Sequence, residues 1–236
     1  MPELKDRVAV VTGASRGIGF AIAEALAREG VHVVMVARGS SGLKSARRKI
    51  GRRASAIAAD VTRPTDVKRV IRQAGKRHGR LDVLVNCAGA FTYKPFGETT
   101  LEDWRLNIES NLTSVFLTVK AALPLLEQGK SPHVVNILSV SSRLAFANCS
   151  AYTAAKFGAL GLTRVLREEL RPKGIRVTAV LPGLTDTEML AAFGFEIPRH
   201  RVMQPEDVAD AVIAALRQPE RTAVEEVVLM PSAGAI

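Results

Sequence analysis

Val8-Ala9-Val10-Val11-Thr12-Gly13-Ala14-Ser15-Arg16-Gly17-Ile18-Gly19 is the stretch whose reading decides the fold. A short, continuous apolar run rich in valine reads as a strand covered on both faces. It leads directly into a glycine-rich turn that opens a segment of helical period. Glycines in such a turn let the backbone approach a pyrophosphate, and the following helix offers unpaired N–H groups and the positive end of its dipole to the phosphates. The spacing of Gly13, Gly17 and Gly19 is G-x-x-x-G-x-G, not the G-x-G-x-x-G of the general dinucleotide fingerprint. A turn that only joins strand to helix is the competing reading, and a strand before with a helix after weighs against it.

Outward from this junction the same rhythm repeats. Apolar runs rich in Val and Ala predict strands over Val8–Thr12, His32–Ala37, Ala54–Ala59, Leu81–Asn86, Val134–Leu138, Arg176–Leu181 and Glu226–Leu229. Helical periods begin between them near Gly17, Leu43, Pro64, Thr100, Ala151 and Pro205. Repeated βαβ units of this kind predict an α/β fold, a doubly wound parallel sheet of Rossmann type with about seven strands. A chain of 236 residues without a Pro-, Gly- and Ser-rich linker fits one domain over residues 1–236.

Composition narrows the classes. No apolar run approaches the ~20 residues of a membrane span, and Val8 to Val11 is too short for the apolar core of a signal peptide. Cys87 and Cys149 lie far apart and suit reduced thiols, so a soluble, cytoplasmic protein is expected. The formal charge of +10 raises the question of nucleic acid, and the densest basic stretch holds Lys44, Arg47, Arg48, Lys49, Arg52 and Arg53. It carries no interleaved aromatics and no zinc-finger, RNA-binding or basic-zipper pattern, so it reads as a solvated helix face or as a field that steers an anionic ligand. The four histidines show no metal-ligand spacing, and no metal is expected.

Tyr152 and Lys156 stand four residues apart in a helix-like stretch, with Ser139 thirteen residues upstream of the tyrosine. Positions i and i+4 share a helix face, so the ammonium can lie near the phenol and favour its ionised form, making a tuned acid/base. From spacing alone such a pair is more often a solvated face. The remainder of the chain decides between the two.

Six motifs in order give the chain its resemblance to the short-chain dehydrogenase/reductase family, most of all to 3-oxoacyl-carrier-protein reductases. Thr12 to Gly19 is similar to the family's T-G-x-x-x-G-x-G loop; Asp60-Val61 to the dipeptide that contacts adenine; Asn86-Cys87-Ala88-Gly89 to its N-N-A-G, with Cys87 in place of the second Asn. Asn111 corresponds to the active-site Asn, Ser139, Tyr152 and Lys156 to the active-site Ser, Tyr and Lys, and Pro182-Gly183 with Leu184 and Thr187 to the segment holding the cofactor's carboxamide. The resemblance implies a catalytic set of Asn111, Ser139, Tyr152 and Lys156. It implies cofactor contacts from Gly13, Ser15, Arg16, Gly17, Ile18, Gly19, Arg38, Asp60, Val61, Asn86, Ala88 and Gly89, together with Tyr152, Lys156 and the segment from Pro182 to Thr187. In that scheme Ser139 holds the substrate oxygen, Tyr152 exchanges its proton, Lys156 binds ribose and lowers the Tyr152 pKa, and Asn111 positions a water in the proton relay.

Three finer expectations follow. NAD-preferring members place an Asp after the second strand; here Ala37 stands there, followed by Arg38, and with Arg16 this gives two guanidinium groups for a 2′-phosphate, hence NADP(H). The segment from about Leu184 to Gln204 is expected to cover a carbonyl substrate, with Phe146, Leu190, Phe193 and Phe195 as apolar walls and Arg143, Arg199 and Arg201 at the mouth to meet a carrier-linked acyl group. Met203 reads as part of this covering segment or as ordinary core, Cys149 as a small filler near the cleft. Ser142 and Arg143 depart from the family pattern. Sugar-alcohol oxidation and a non-catalytic cofactor sensor are the alternatives. Apolar positions along Asn111–Leu126 and Ala151–Arg171 predict a homotetramer, as relatives pair these helices.

Overall fold

Continuous apolar segments can be satisfied only inside a layered structure, and the chain builds one. The structure is a computed structural model that describes residues 3–194 and 197–234; the side chain of Arg199 lies outside that description. Seven strands, β1 (Val8–Thr12), β2 (His32–Ala37), β3 (Ala54–Ala58), β4 (Val83–Asn86), β5 (His133–Ile137), β6 (Arg176–Pro182) and β7 (Glu226–Leu229), form one sheet in the order β3-β2-β1-β4-β5-β6-β7. Every pairing is parallel. The chain winds one way from β1 to β3 and the other from β4 to β7, so the strand order reverses between β1 and β4. Ligands of open α/β sheets bind at the carboxyl ends of the strands at such a point.

Helices α1 (Gly17–Arg28), α2 (Ser40–Ile50), α3 (Pro64–His78), α4 (Leu101–Ile108), α5 (Ser114–Leu126), α6 (Ser150–Leu170) and α7 (Pro205–Leu216) cover the sheet. Strand alternation divides the core. Ala9 and Val11 of β1 face a cluster with Ile22, Leu26, Val212 and Leu216 of α1 and α7. Val8 and Val10 face the other side, with Val70, Ile71, Val119 and Leu126 of α3 and α5. Met203 is buried in the first cluster, and its N–H bonds to Leu184 O, so it is core rather than cover. Helix α2 buries Leu43 and Ala46 and leaves Lys44, Arg48 and Lys49 in solvent, the arrangement of a solvated basic face.

Several expected bounds move by a residue or a few, β5 to His133–Ile137, β3 to end at Ala58, β6 to end at Pro182 and α2 to begin at Ser40, and two differences are larger or have a visible cause. Strand β4 begins at Val83 rather than Leu81, because the Leu81 N–H turns to Leu125 O. The single helix expected from Thr100 is two α-helices joined by a π-helical turn, Glu109–Thr113. Among the described residues no helix is long and apolar enough to cross a membrane.

Candidate active site

The loop after β1 passes so close to itself that side chains are excluded. A Cβ on Gly19 would lie 2.4 Å from Gly13 O, so the first turn of α1 packs directly on the loop backbone. No side chain caps α1 at Arg16 and no acidic residue stands in its first turn. The helix therefore begins with free N–H groups and an uncancelled dipole end, which is what an anion requires. Thr12 ties this loop to the next: its hydroxyl accepts the Cys87 and Ala88 N–H groups at 3.0 and 3.1 Å. Ser15 is half-buried and Arg16 exposed in the loop, while Arg38 and Asp60 follow β2 and β3 at the same sheet edge and Val61 is buried beneath them. Burial alone would raise the Asp60 carboxyl, but hydrogen bonds from Thr62 and the nearby Arg38 and Arg63 hold it below the usual range. These residues fit a dinucleotide bearing an extra phosphate.

Asn86 behaves differently from expectation. Its side chain points into the interior, where Nδ2 donates to Asn136 Oδ1 at 2.8 Å and Oδ1 accepts from the Thr118 hydroxyl at 2.7 Å. Asn136 in turn donates to Thr163 Oγ1 at 2.9 Å. The resulting chain of buried bonds links α5, β4, β5 and α6, because polar groups taken out of water must find partners. Asn86 thus fixes α6, which carries Lys156, and α5, which follows directly on the turn that carries Asn111, instead of facing a ligand with its side chain.

Asn111 sits in the π-helical turn, a distortion that recurs at functional sites. Its Nδ2 donates to Ala90 O at 2.8 Å and Asn107 O at 3.0 Å, while its buried Oδ1 has no protein partner. A Cβ on Gly89 would lie 2.6 Å from that oxygen, so the glycine keeps the space beside it open. An acceptor held in this way can take a hydrogen bond from water or from an ammonium.

Ser139 leaves β5 in extended conformation, and its Oγ accepts the Ser141 N–H at 3.1 Å. Tyr152 and Lys156 are both buried on α6, with Lys156 Nζ 5.6 Å from the centre of the phenol ring. Desolvation acts beside the proximity that spacing predicted. Burial pushes the Tyr152 phenol up to about 12, with the Ser139 hydrogen bond pulling the other way and the Cys149 and Cys87 thiols adding to the rise. Burial also brings Lys156 down to about 8, its Nζ donating to Ile137 O at 3.1 Å. Both groups are desolvated together, so each favours its neutral form.

Above Ser139 and Tyr152 opens a cavity of about 360 Å³ whose lining includes Ile18, Pro182, Gly183, Leu184 and Thr187 on one side and Phe146, Leu190 and Phe193 on another. Phe195 lies outside the described residues. Cys149 also lines the cavity, and burial raises its thiol, as it does that of Cys87, pushed to about 12. Neither sulfur is set up as a nucleophile. Arg143 does not reach the mouth: it is ion-paired with Glu226, which Arg164 also holds at 2.9 Å. Arg201 is likewise absent from the lining. Arg16 forms an ion pair with Glu188, closing the covering segment onto the glycine loop. Residues missed from sequence are Phe91 and Tyr93, which follow β4, and Met230 and Pro231, which follow β7. An aromatic pair two residues apart just after the Asn86–Gly89 motif is the signal that marked the first two.

A parallel doubly wound sheet with a glycine cradle at its switch point and a buried Ser–Tyr–Lys cluster beside it defines a dinucleotide-dependent class of protein. Residues 7–196 match the family model described as short chain dehydrogenase, and the chain belongs to that family as one of its oxidoreductases. An uncharacterised oxidoreductase of Staphylococcus saprophyticus is 35% identical over 98% of this chain and all of its own. The glycine betaine reductase of Emericella nidulans is 37% identical over 97% of this chain, which corresponds to 19% of that larger protein. Among solved structures, an alcohol dehydrogenase from the archaeon Thermococcus sibiricus, complexed with 5-hydroxy-NADP, has a TM-score of 0.90 at 30% identity, with 97% of each chain covered. A metagenomic short-chain oxidoreductase in complex with NADP has a TM-score of 0.85 at 33% identity, covering 98% of this chain and 99% of the other.

Proposed function

We propose that this protein is an NADPH-dependent reductase of an apolar ketone, with Tyr152 as the proton donor. The observation that carries the reading is the meeting of Ser139 and buried Tyr152 in the lining of an apolar cavity that the segment from Pro182 to Thr187 also lines, with Lys156 buried on the same helix and its Nζ 5.6 Å from the centre of the phenol ring. When bound, the nicotinamide supplies the hydride. Ser139 holds the ketone oxygen by hydrogen bond, and Tyr152, neutral at pH 7, gives that oxygen its proton. Lys156, still largely protonated at pH 7, holds the ribose hydroxyls and restores the phenol's proton through a water accepted by Asn111 Oδ1. Gly13, Gly17, Gly19 and the uncapped start of α1 would hold the pyrophosphate, with Ala88 and Gly89 as further cofactor contacts.

The phosphorylated cofactor is supported by Ala37 in place of an acidic residue, by Arg38 and Arg16 at the same edge, and by the two solved relatives that hold NADP-type ligands. A 3-oxoacyl thioester remains the alternative substrate. It is less favoured because Arg143 is occupied by Glu226. Exposed Phe116 on α5, with Phe157 and Val165 on α6, supports burial of those helices in a homotetramer. Cytoplasmic function accords with two free thiols. The test is steady-state oxidation of NADPH and NADH with an apolar ketone and an acetoacetyl thioester. NADPH should give a kcat/KM at least roughly tenfold higher, the scale of one charge-assisted phosphate contact, and equal use of both cofactors would refute the assignment.

A further inference from the structure

Four aromatic rings from three separate parts of the chain run through the cavity as one series. Phe91 meets Tyr152 edge-on at 4.8 Å between centroids, Phe193 is tilted against Phe91 at 5.1 Å, and Tyr93 against Phe193 at 4.9 Å. These separations lie in the range that aromatic pairs favour. The series starts at the phenol proposed to deliver the proton, passes through Phe193 of the covering segment and ends at Tyr93, so a ligand ring placed beside it would extend contacts already built. Met189 and Met230 also line the cavity, and thioethers pack well against ring edges while adapting to their shape.

The polar side chains of the lining are fewer than the apolar ones: Tyr93, Ser139, Ser141, Tyr152, Thr185 and Thr187, with the Cys149 thiol. Among the described lining residues none is charged. Ser139 and Tyr152 are hydrogen-bonded neighbours, a pair that addresses a single oxygen. A polyol here would leave hydroxyls against ring faces without partners, which desolvation penalises. An aliphatic acyl chain would find apolar walls but make no use of the ring faces.

Resting on the reductase reading above, we infer that the substrate is an uncharged aryl ketone, its carbonyl oxygen on Ser139 and Tyr152 and its ring beside Phe91, Phe193 and Tyr93. Phe91 and Phe193 are then specificity-determining residues. In the reaction the C4–H bond of NADPH breaks as hydride is delivered to the carbonyl carbon, the carbonyl π bond opens onto oxygen, and the Tyr152 O–H proton moves to that oxygen. The ketone is reduced to a secondary alcohol, NADPH is oxidised to NADP+, and the phenolate regains a proton from solvent.

The experiment compares kcat/KM for acetophenone, cyclohexyl methyl ketone, an acetoacetyl thioester and dihydroxyacetone, in the wild-type protein and in Phe193→Leu. Acetophenone should exceed its saturated counterpart by roughly tenfold, the scale of one or two aromatic pairs. Phe193→Leu should bring that ratio close to one with the Kd for NADPH unchanged. Calorimetric titration of acetophenone into NADPH-loaded Tyr152→Phe, with and without Phe193→Leu, reads the pocket without turnover. Acetophenone binding that Phe193→Leu weakens, with no ketone turned over by the wild-type protein, would support the aryl pocket and sink the reductase reading. Turnover that favours cyclohexyl methyl ketone, the thioester or dihydroxyacetone would overturn the aryl assignment and leave the reductase standing. Absence of both acetophenone binding and acetophenone turnover would overturn it as well.

Discussion

Replacing Lys156 by methionine should make the folded protein more stable while making it a worse binder of NADPH. Burial brings the ammonium from an ordinary 10.5 to about 8, a displacement that corresponds to about 3 kcal/mol against the charged form. Methionine has similar length and no charge, and the lost hydrogen bond to Ile137 O returns about 1–1.5 kcal/mol of that gain. A net stabilisation of about 1–2 kcal/mol remains at pH 6.5, which for a chain of this size raises the Tm by about 3–6 °C. The size of the gain depends on pH, and it is cancelled by the lost hydrogen bond once the desolvation cost has fallen to about 1–1.5 kcal/mol, at roughly pH 9.5. A lysine whose folded pKa is depressed contributes least below that value, and its disadvantage is relieved as pH rises from about 8 toward 10.5, because the folded state loses its proton first. Thermal denaturation of both proteins at pH 6.5 and pH 9.5 should therefore show a Tm gap that narrows at the higher pH. A variant less stable than the wild type at pH 6.5, or a gap equal at both pH values, would refute the claim that Lys156 is held at a cost to the fold.

Gly19→Ala should weaken NADPH binding at least roughly tenfold and destabilise the fold by about 1–3 kcal/mol, because its Cβ would fall 2.4 Å from Gly13 O and the backbone must move; a calorimetric Kd and a denaturant midpoint both unchanged would contradict the cradle. Glu188→Gln removes the carboxylate that holds Arg16. Freed for the 2′-phosphate, Arg16 should lower the KM for NADPH a few-fold and leave that for NADH as it was, and a rise in both would show that the pair serves only to close the covering segment.

The strands were legible because parallel strands covered on both faces are written as unbroken apolar runs, and β1, β2 and β7 fall on the residues the pattern marked. The switch point was legible through Thr12 to Gly19, where strand, glycines and helix follow without interruption. Spacing could place Lys156 beside Tyr152, yet it could not weigh desolvation, which raises the phenol. The π-helical turn at Asn111 escaped notice because its residues have ordinary helical propensity and the distortion is held by bonds to Ala90 and Asn107. Arg143 looked available for a ligand because its partner Glu226 is 83 residues away in the chain. Met230 sits on a loop without period, so only the fold brings it to the cavity, whereas Phe91 and Tyr93 carry a single local signal, their place just after the Asn86–Gly89 motif.

The central claim is that a buried, neutral Tyr152 delivers the proton. Tyr152→Phe deletes one hydroxyl and keeps the ring that packs on Phe91 at 4.8 Å. The direct measurement is kcat for NADPH-dependent ketone reduction beside the Kd for NADPH, both in the Tyr152→Phe variant and in the wild-type protein. The account predicts a fall in kcat of about a hundredfold or more, the scale of general acid catalysis, with the Kd unchanged. Retention of most of the activity would contradict it.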